Sequence, residues 1–115
     1  MAAAAKIPVE DIIAEIKQKT ANFDGGSYQG FLALQVNLTD IDKVFYVEVK
    51  EGKLTIEPFE YNDRQAKMSM TSANFQKMIN GKLSGTTAFL TGKLKIDGSI
   101  EKCKELTALL GGKSD

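Results

Sequence analysis

Five segments of the chain alternate apolar and polar residues, which is the pattern of a β-strand that buries one face. The segments are Phe31–Leu38, Val44–Lys50, Lys53–Glu57, Ala66–Met70 and Lys93–Asp97. Because each segment has one apolar and one mostly polar face, we expect their sheet to be wet on one side and covered on the other. The sequence therefore predicts a two-layer α+β domain, with a five-stranded, mostly antiparallel sheet and helices packed on one face.

The N-terminal half adds one helix and two turns to this sheet. Apolar residues from Val9 to Ile16 recur at i, i+3, i+4 and i+7, which predicts a helix over Pro8–Thr20. The glycine-containing stretch Asn22–Gly30 follows a helix and precedes a strand, the reverse of a phosphate-binding loop, so it is predicted to be a plain connection. A tight hairpin turn is predicted at Glu51-Gly52.

The C-terminal half changes its period from two to 3.6 residues near Thr71 and Ser72, either of which can cap a helix. One short helical turn is predicted at Thr86–Leu90. A closing helix then starts after the cap residue Ser99 and is stopped by Gly111-Gly112.

The composition excludes several classes of function. The chain has no histidine, which removes Ser-His-Asp and Cys-His catalysis. Its single cysteine, Cys103, allows no intrachain disulfide and argues against a cysteine-based zinc site, so we predict no metal and no cofactor. Fifteen basic and fifteen acidic residues give zero net charge, which argues against nucleic-acid binding. The expectation is a protein that is not an enzyme.

Length and signals give an expected organisation and location. The 115 residues are predicted to form one domain over 1–115. No run approaches the ~18 apolar residues that a membrane-spanning helix needs. A lone cysteine favours a reducing, intracellular setting. The chain ends Gly-Gly-Lys-Ser-Asp rather than in a Ser-Lys-Leu type of peroxisomal signal, so a cytoplasmic location is expected.

The most specific motif of the chain is AFLTGKLKIDG, at Ala88–Gly98. Further motif residues precede it at Phe75, Met78 and Gly81-Lys82-Leu83. Together these residues resemble the sterol carrier protein 2 family of lipid-binding domains, whose usual pattern AF-x-x-GKLKI-x-G the motif matches in full. The upstream helix and three-stranded meander also fit, so the resemblance covers nearly the whole chain. One departure is that Phe45 and Tyr46 stand where many members have a tryptophan.

The resemblance implies a sheet covered on one face by helices, with an apolar tunnel between the layers. It implies non-catalytic binding or transfer of a fatty acid, fatty acyl-CoA, sterol or similar lipid. The partners it implies are this lipid ligand and, transiently, a membrane, while the oligomeric state is left open. The resemblance also gives a peroxisomal location as the alternative to a cytoplasmic one, although a Ser-Lys-Leu type of signal is absent.

Candidate site residues are the apolar side chains predicted to face the space between the layers. They are Met68, Met70, Leu94 and Ile96 from the sheet, and Phe75, Met78, Ile79, Phe89, Leu90, Ile100, Cys103, Leu106 and Leu110 from the helices. Methionine adapts to irregular contents, which suits a promiscuous cavity. Lys102 and Lys104 are candidates for contact with an anionic head group.

A second interpretation follows from the same pattern. Buried helix stripes and strand faces look alike whether or not a cavity remains, so the pattern alone favours a filled core. The alternative function is then a protein-interaction module with a fully packed core and no lipid ligand. In either interpretation Cys103 is predicted to be a small buried hydrophobic residue, and Glu57, Glu60 and Asp63 to be solvated charges.

Overall fold

The computed structural model describes residues 6–21 and 30–110. Its elements, in chain order, are α1 (Val9–Lys19), β1 (Leu32–Leu38), β2 (Lys43–Lys50), β3 (Lys53–Glu57), β4 (Ala66–Met70), α2 (Ser72–Ile79), α3 (Gly85–Leu90), β5 (Lys95–Gly98) and α4 (Ile100–Leu109). This order confirms the predicted α+β fold. Residues 22–29 of the predicted connection and the predicted helix stop at Gly111-Gly112 lie outside the described residues.

The five strands form one mixed sheet in the order β3-β2-β1-β4-β5. Among the described strands, the β1–β4 pair is parallel and the other three pairs are antiparallel, in agreement with the predicted mostly antiparallel sheet. The β2–β3 hairpin turns at Glu51 and Gly52, whose φ angles of 53° and 78° are those of a type I′ turn. The parallel pair requires the chain to cross from the β3 edge to the far side of β1.

The residues that make this crossing cover part of the outer face of the sheet. Gln35 on β1 is only 2% exposed, because the backbone N–H of Tyr61 donates to its Oε1 at 3.1 Å. The Tyr61 hydroxyl donates to Glu48 Oε2 at 2.6 Å, and its ring lies 5.1 Å from that of Tyr46. The hydrogen bond to Glu48, with desolvation, raises the pKa of Tyr61 to about 12. The prediction of a wet outer face is therefore wrong at its centre.

The other face of the sheet forms the core with the helices. The apolar side chains of β1 that share this face are fully buried: Leu32, Leu34, Val36 and Leu38. The α1 stripe is buried against β2 and β3, whereas α4 packs on β1, β4 and β5. Helix α1 therefore covers the β2–β3 end of the sheet, and α4 covers the β4–β5 end.

A polar cluster at the start of α2 joins three separate parts of the chain. Ser72, which is fully buried, donates both its backbone N–H and its hydroxyl to the Asp40 carboxylate, at 2.8 and 2.7 Å. The same hydroxyl oxygen accepts from the backbone N–H of Ile7 at 2.9 Å. Desolvation would raise the pKa of Asp40, but the hydrogen bonds from Ser72 and the charge of Lys6 outweigh it and lower the pKa below its usual 3.8.

The substitution Asp40→Asn is expected to destabilise the fold by about 2 kcal/mol at neutral pH, because two buried donors of Ser72 lose a charged acceptor. A lowered pKa stabilises the fold above pH 3.8, and this contribution disappears as the pH falls through the folded value. Urea unfolding at several pH values should therefore show the gap between wild type and variant closing on acidification. Asp63→Asn, at an exposed position, is the control; a gap that persists in acid contradicts the assignment.

Candidate functional site

The space between sheet and helices is filled at the end covered by α1 and α2. The ring of Phe75 on α2 meets Phe45 of β2 edge to face, with centroids 5.5 Å apart and planes at 76°. Both rings are fully buried, as are Ile12 and Ile16 of α1. Here the predicted apolar residues form an ordinary close-packed core.

The space is hollow at the other end, between β4, β5, α3 and α4. A pocket of about 160 Å³ lies there. Its walls are Met68, Gly85, Thr86, Phe89, Leu94, Ile96, Ile100, Cys103, Lys104 and Thr107. It opens between α3 and α4, where Phe89 and Ile100 are 42% and 46% exposed. The sheet and helix layers therefore enclose an apolar cavity with a mouth at the protein surface.

Strand register and helix period explain how the walls are assembled. Met68 and Ile96 are directly paired between β4 and β5, so their side chains lie on the same face of the sheet. On α4 the lining positions 100, 103, 104 and 107 recur at i, i+3, i+4 and i+7, which is one face of a helix. The hydroxyl of Ser99 caps this helix by accepting from the Lys102 N–H at 3.2 Å.

The short helix α3 is fixed at both ends. Ser84 caps its start, and buried Ala88 anchors it to the core. At its end the Lys93 N–H donates to the Ala88 carbonyl at 2.8 Å and the Gly92 N–H to the Phe89 carbonyl at 3.3 Å. With Gly92 at φ 79°, this is a Schellman motif. The Gly-Lys-Leu part of the sequence motif thus turns the chain from α3 into β5 and places Leu94 in the pocket wall.

The pocket holds little reactive chemistry. Burial raises the pKa of the Cys103 thiol to about 12, so the group stays protonated at neutral pH and is a poor nucleophile. The Thr107 hydroxyl donates to the Cys103 carbonyl at 2.9 Å and is satisfied within the helix. Among the lining residues only Lys104 carries a charge, and its side chain is exposed at the mouth. The site can therefore bind an apolar body beside one cation.

The structure separates the predicted site residues into three groups. Those that line the pocket are Met68, Phe89, Leu94, Ile96, Ile100, Cys103 and Lys104. Those buried elsewhere in the core are Met70, Phe75, Met78, Ile79, Leu106 and Leu110. Leu90 is 75% exposed and does not line the pocket, because α3 buries Ala88 and turns Leu90 outward. Lys102 is also outside the lining and forms an ion pair with Glu105 at 3.2 Å.

The sequence interpretation missed three lining residues, Gly85, Thr86 and Thr107. A signal existed for Thr107, which lies four residues after Cys103 and therefore on the same helix face. Threonine is polar, so a search for an apolar helix stripe does not include it. Gly85 and Thr86 belong to a helix of six residues, too short to show a period.

Comparison with known proteins identifies a family for this chain. Residues 14–111 match the model of the SCP-2 sterol transfer family. The chain belongs to this family. The fold is shared with sterol carrier protein 2 like-3 of Aedes aegypti, at a TM-score of 0.70 and 15% identity over 89% of this chain and 95% of that one. A palmitated SCP2L2 of Aedes aegypti aligns at a TM-score of 0.64 and 16% identity, over 95% and 99%.

Two curated relatives contain a matching region. Sterol carrier protein 2 of Arabidopsis thaliana is 30% identical over 81 residues, which is 66% of this chain and 66% of that protein. Hydroxysteroid dehydrogenase-like protein 2 of Xenopus tropicalis is 37% identical over 68 residues, or 58% of this chain. That match covers only 16% of the relative's length. The matched region is thus found both in a small carrier and within a much longer protein.

Proposed function

We propose that the protein binds the acyl chain or other apolar body of a lipid in the pocket between β4, β5, α3 and α4, without catalysing a reaction. The observation that carries the proposal is an apolar cavity with a mouth at the surface and one lysine, Lys104, beside it. Membership of a sterol transfer family supports lipid binding or transfer in general. A palmitated neighbour of the same fold favours a fatty acid as the ligand class.

The size of the pocket sets how a fatty acid would fit. A cavity of about 150 Å³ holds a molecule of the size of benzene, so the 160 Å³ pocket takes about six carbons. Burying six methylenes gives about 5 kcal/mol before the cost of ordering the ligand. A longer chain gains more only if α4 moves away from the sheet. We therefore propose that α4 moves away from the sheet when a long acyl chain enters the pocket.

The remaining statements about function are also proposals. The Cys103 thiol stays protonated and the Thr107 hydroxyl donates within its own helix, which favours a carrier over an enzyme. The activity that the name of the Xenopus relative implies is not transferred to this chain, because the match leaves most of that protein uncovered. A protein-interaction module with a filled core is disfavoured by the pocket. The intracellular location stays a prediction.

Native mass spectrometry of the gently purified chain tests the proposal. We expect a fraction of the protein to carry an adduct that solvent extraction identifies as a lipid, and we expect the stripped protein to bind a fluorescent fatty acid. Competition with the fluorescent probe should show that the affinity for fatty acids rises with chain length, by up to about fourfold per methylene, since each methylene contributes about 0.8 kcal/mol. A clean unliganded mass, together with no binding of any fatty acid, would instead favour the interaction module.

A further inference from the structure

Large apolar side chains are exposed around the mouth of the pocket. Four large hydrophobic residues are exposed within the described residues, and three of them lie on α3 or at the start of α4: Phe89, Leu90 and Ile100. We call these three the apolar rim. Leu90, at 75% exposure, is the most exposed of the four. Single exposed apolar residues are ordinary, but a group that continues an apolar pocket onto the surface marks a binding surface.

Two residues of the apolar rim, Phe89 and Leu90, lie within an acid-free part of the chain, whereas Ile100 lies beyond it and is followed by Glu101. Between Asp63 and Asp97 there is no acidic residue, but there are six basic ones: Arg64, Lys67, Lys77, Lys82, Lys93 and Lys95. The whole chain has fifteen residues of each sign, so the remainder carries an acidic excess of six. The zero net charge therefore conceals a basic segment. A net charge taken over the whole chain does not show this asymmetry.

Two of these lysines flank α3 directly. Lys82 and Lys93 are exposed and stand just before and just after the helix. Each occupies the same position of a Schellman motif: its backbone N–H donates at 2.8 Å to a helix carbonyl five residues earlier, on Lys77 and Ala88 respectively. Lys104 adds a third exposed cation, at the pocket mouth. Apolar and cationic groups thus occur together around one helix.

We propose that α3 and the start of α4 form the surface by which the protein docks on an anionic lipid bilayer, with Phe89 and Leu90 entering the acyl region. Lys82, Lys93 and Lys104 would then face the lipid phosphates. The proposal rests on the proposed function in one respect, because docking delivers a lipid only if the pocket binds one. A docked rim would let that lipid pass from bilayer to pocket without crossing water. A bilayer matches both halves of the surface, because it offers an apolar interior beneath a layer of negative charge.

Vesicle sedimentation with the full chain tests this docking surface. The vesicles are phosphatidylcholine with about one third phosphatidylserine, and vesicles of phosphatidylcholine alone serve for comparison. Wild type should bind the anionic vesicles and lose binding as salt rises. Leu90→Gln should weaken binding about tenfold, since a leucine no longer enters the acyl region. The matched control is Phe59→Gln, because Phe59 is 60% exposed but lies far along the chain from α3.

The charge component has its own pair of variants. Lys82→Gln with Lys93→Gln should weaken binding about tenfold and reduce its salt dependence. Lys17→Gln with Lys19→Gln, on the exposed face of α1, should leave binding unchanged. The docking surface is refuted if wild type does not bind anionic vesicles. It is also refuted if the α3 variants bind like wild type or no worse than their controls, which is the result expected if the rim binds a protein partner instead.

Ligand binding in solution separates this proposal from the proposed function. Leu90 does not line the pocket, so Leu90→Gln should bind a fluorescent fatty acid as wild type does while failing on vesicles. If no variant, nor wild type, binds the fatty acid but the vesicle results hold, the lipid pocket fails and the docking surface stands. The reverse pattern, fatty-acid binding with unchanged vesicle affinity in Leu90→Gln, overturns the docking surface alone.

Discussion

Replacing Cys103 by phenylalanine is expected to abolish measurable fatty-acid binding while leaving a folded protein. Cys103 lies in the pocket wall and is only 3% exposed. A phenyl ring has the size of benzene, and a cavity of about 150 Å³ is what benzene fills. The added ring should therefore occupy the 160 Å³ pocket and exclude the chain that would otherwise enter it. We expect the affinity to fall at least about a hundredfold, if about six methylenes lose most of their burial.

The matched control for this variant is Cys103→Ala, which enlarges the pocket instead of filling it. It should cost about 1 kcal/mol of stability and keep fatty-acid binding within a few fold of wild type. Circular dichroism and urea unfolding establish that both variants are folded, and fluorescent fatty-acid titration gives their affinities. A folded Cys103→Phe that binds as tightly as wild type would show that the ligand does not use this pocket.

The second large effect is expected for stability, at the last residue of β5. Gly98 has a φ of 108°, and a Cβ there would lie 2.6 Å from the Gln65 carbonyl oxygen and 2.9 Å from Ala66 Cα. That backbone has little room to yield, since the Gln65 N–H donates to the Ala33 carbonyl at 2.7 Å. Gly98→Ala should therefore destabilise the protein by about 3 kcal/mol, the sum of left-handed strain and a backbone clash.

Gly92→Ala isolates the strain from the clash. Gly92 also has a positive φ, 79°, but nothing lies within 4 Å of the Cβ that alanine would add. Gly92→Ala should therefore lower the free energy of unfolding by about 1 kcal/mol. Urea unfolding of both variants gives the comparison, with an unchanged m value as the sign that only stability has moved. If both variants lost the same amount of unfolding free energy, the close approach of β5 to β4 would not constrain Gly98.

The fold was largely predictable because its signals are local. Alternation located every strand, and hydroxyl caps located the starts of α2 and α4: Thr71 accepts from the Asn74 N–H at 3.3 Å, and Ser99 caps α4. Where the choice lay between Thr71 and Ser72, only the structure decided it, since Ser72 is held by Asp40 from a distant loop. The burial of Gln35 could not be predicted from the sequence either, because it depends on the path that Pro58–Gln65 takes across the sheet.

The pocket was less predictable because hollow and filled regions share one sequence pattern. Phe75 and Cys103 both lie on helix stripes that face the sheet, yet Phe75 meets Phe45 whereas Cys103 faces empty volume. Which residue stands opposite is decided by tertiary packing, not by spacing along the chain. The outward turn of Leu90 has the same cause: six helical residues give no period from which a face can be read.

The central claim is that a lipid chain enters the space beside β4, β5, α3 and α4. It is tested most directly by NMR of protein carrying ¹³C-methyl methionine, titrated with palmitate. Met68 lines the pocket, whereas Met70 and Met78 are buried outside it. We predict nuclear Overhauser contacts between the acyl protons and the Met68 methyl group, and none to Met78. Bound palmitate that contacts Met78 but not Met68, or no methionine at all, would contradict the claim.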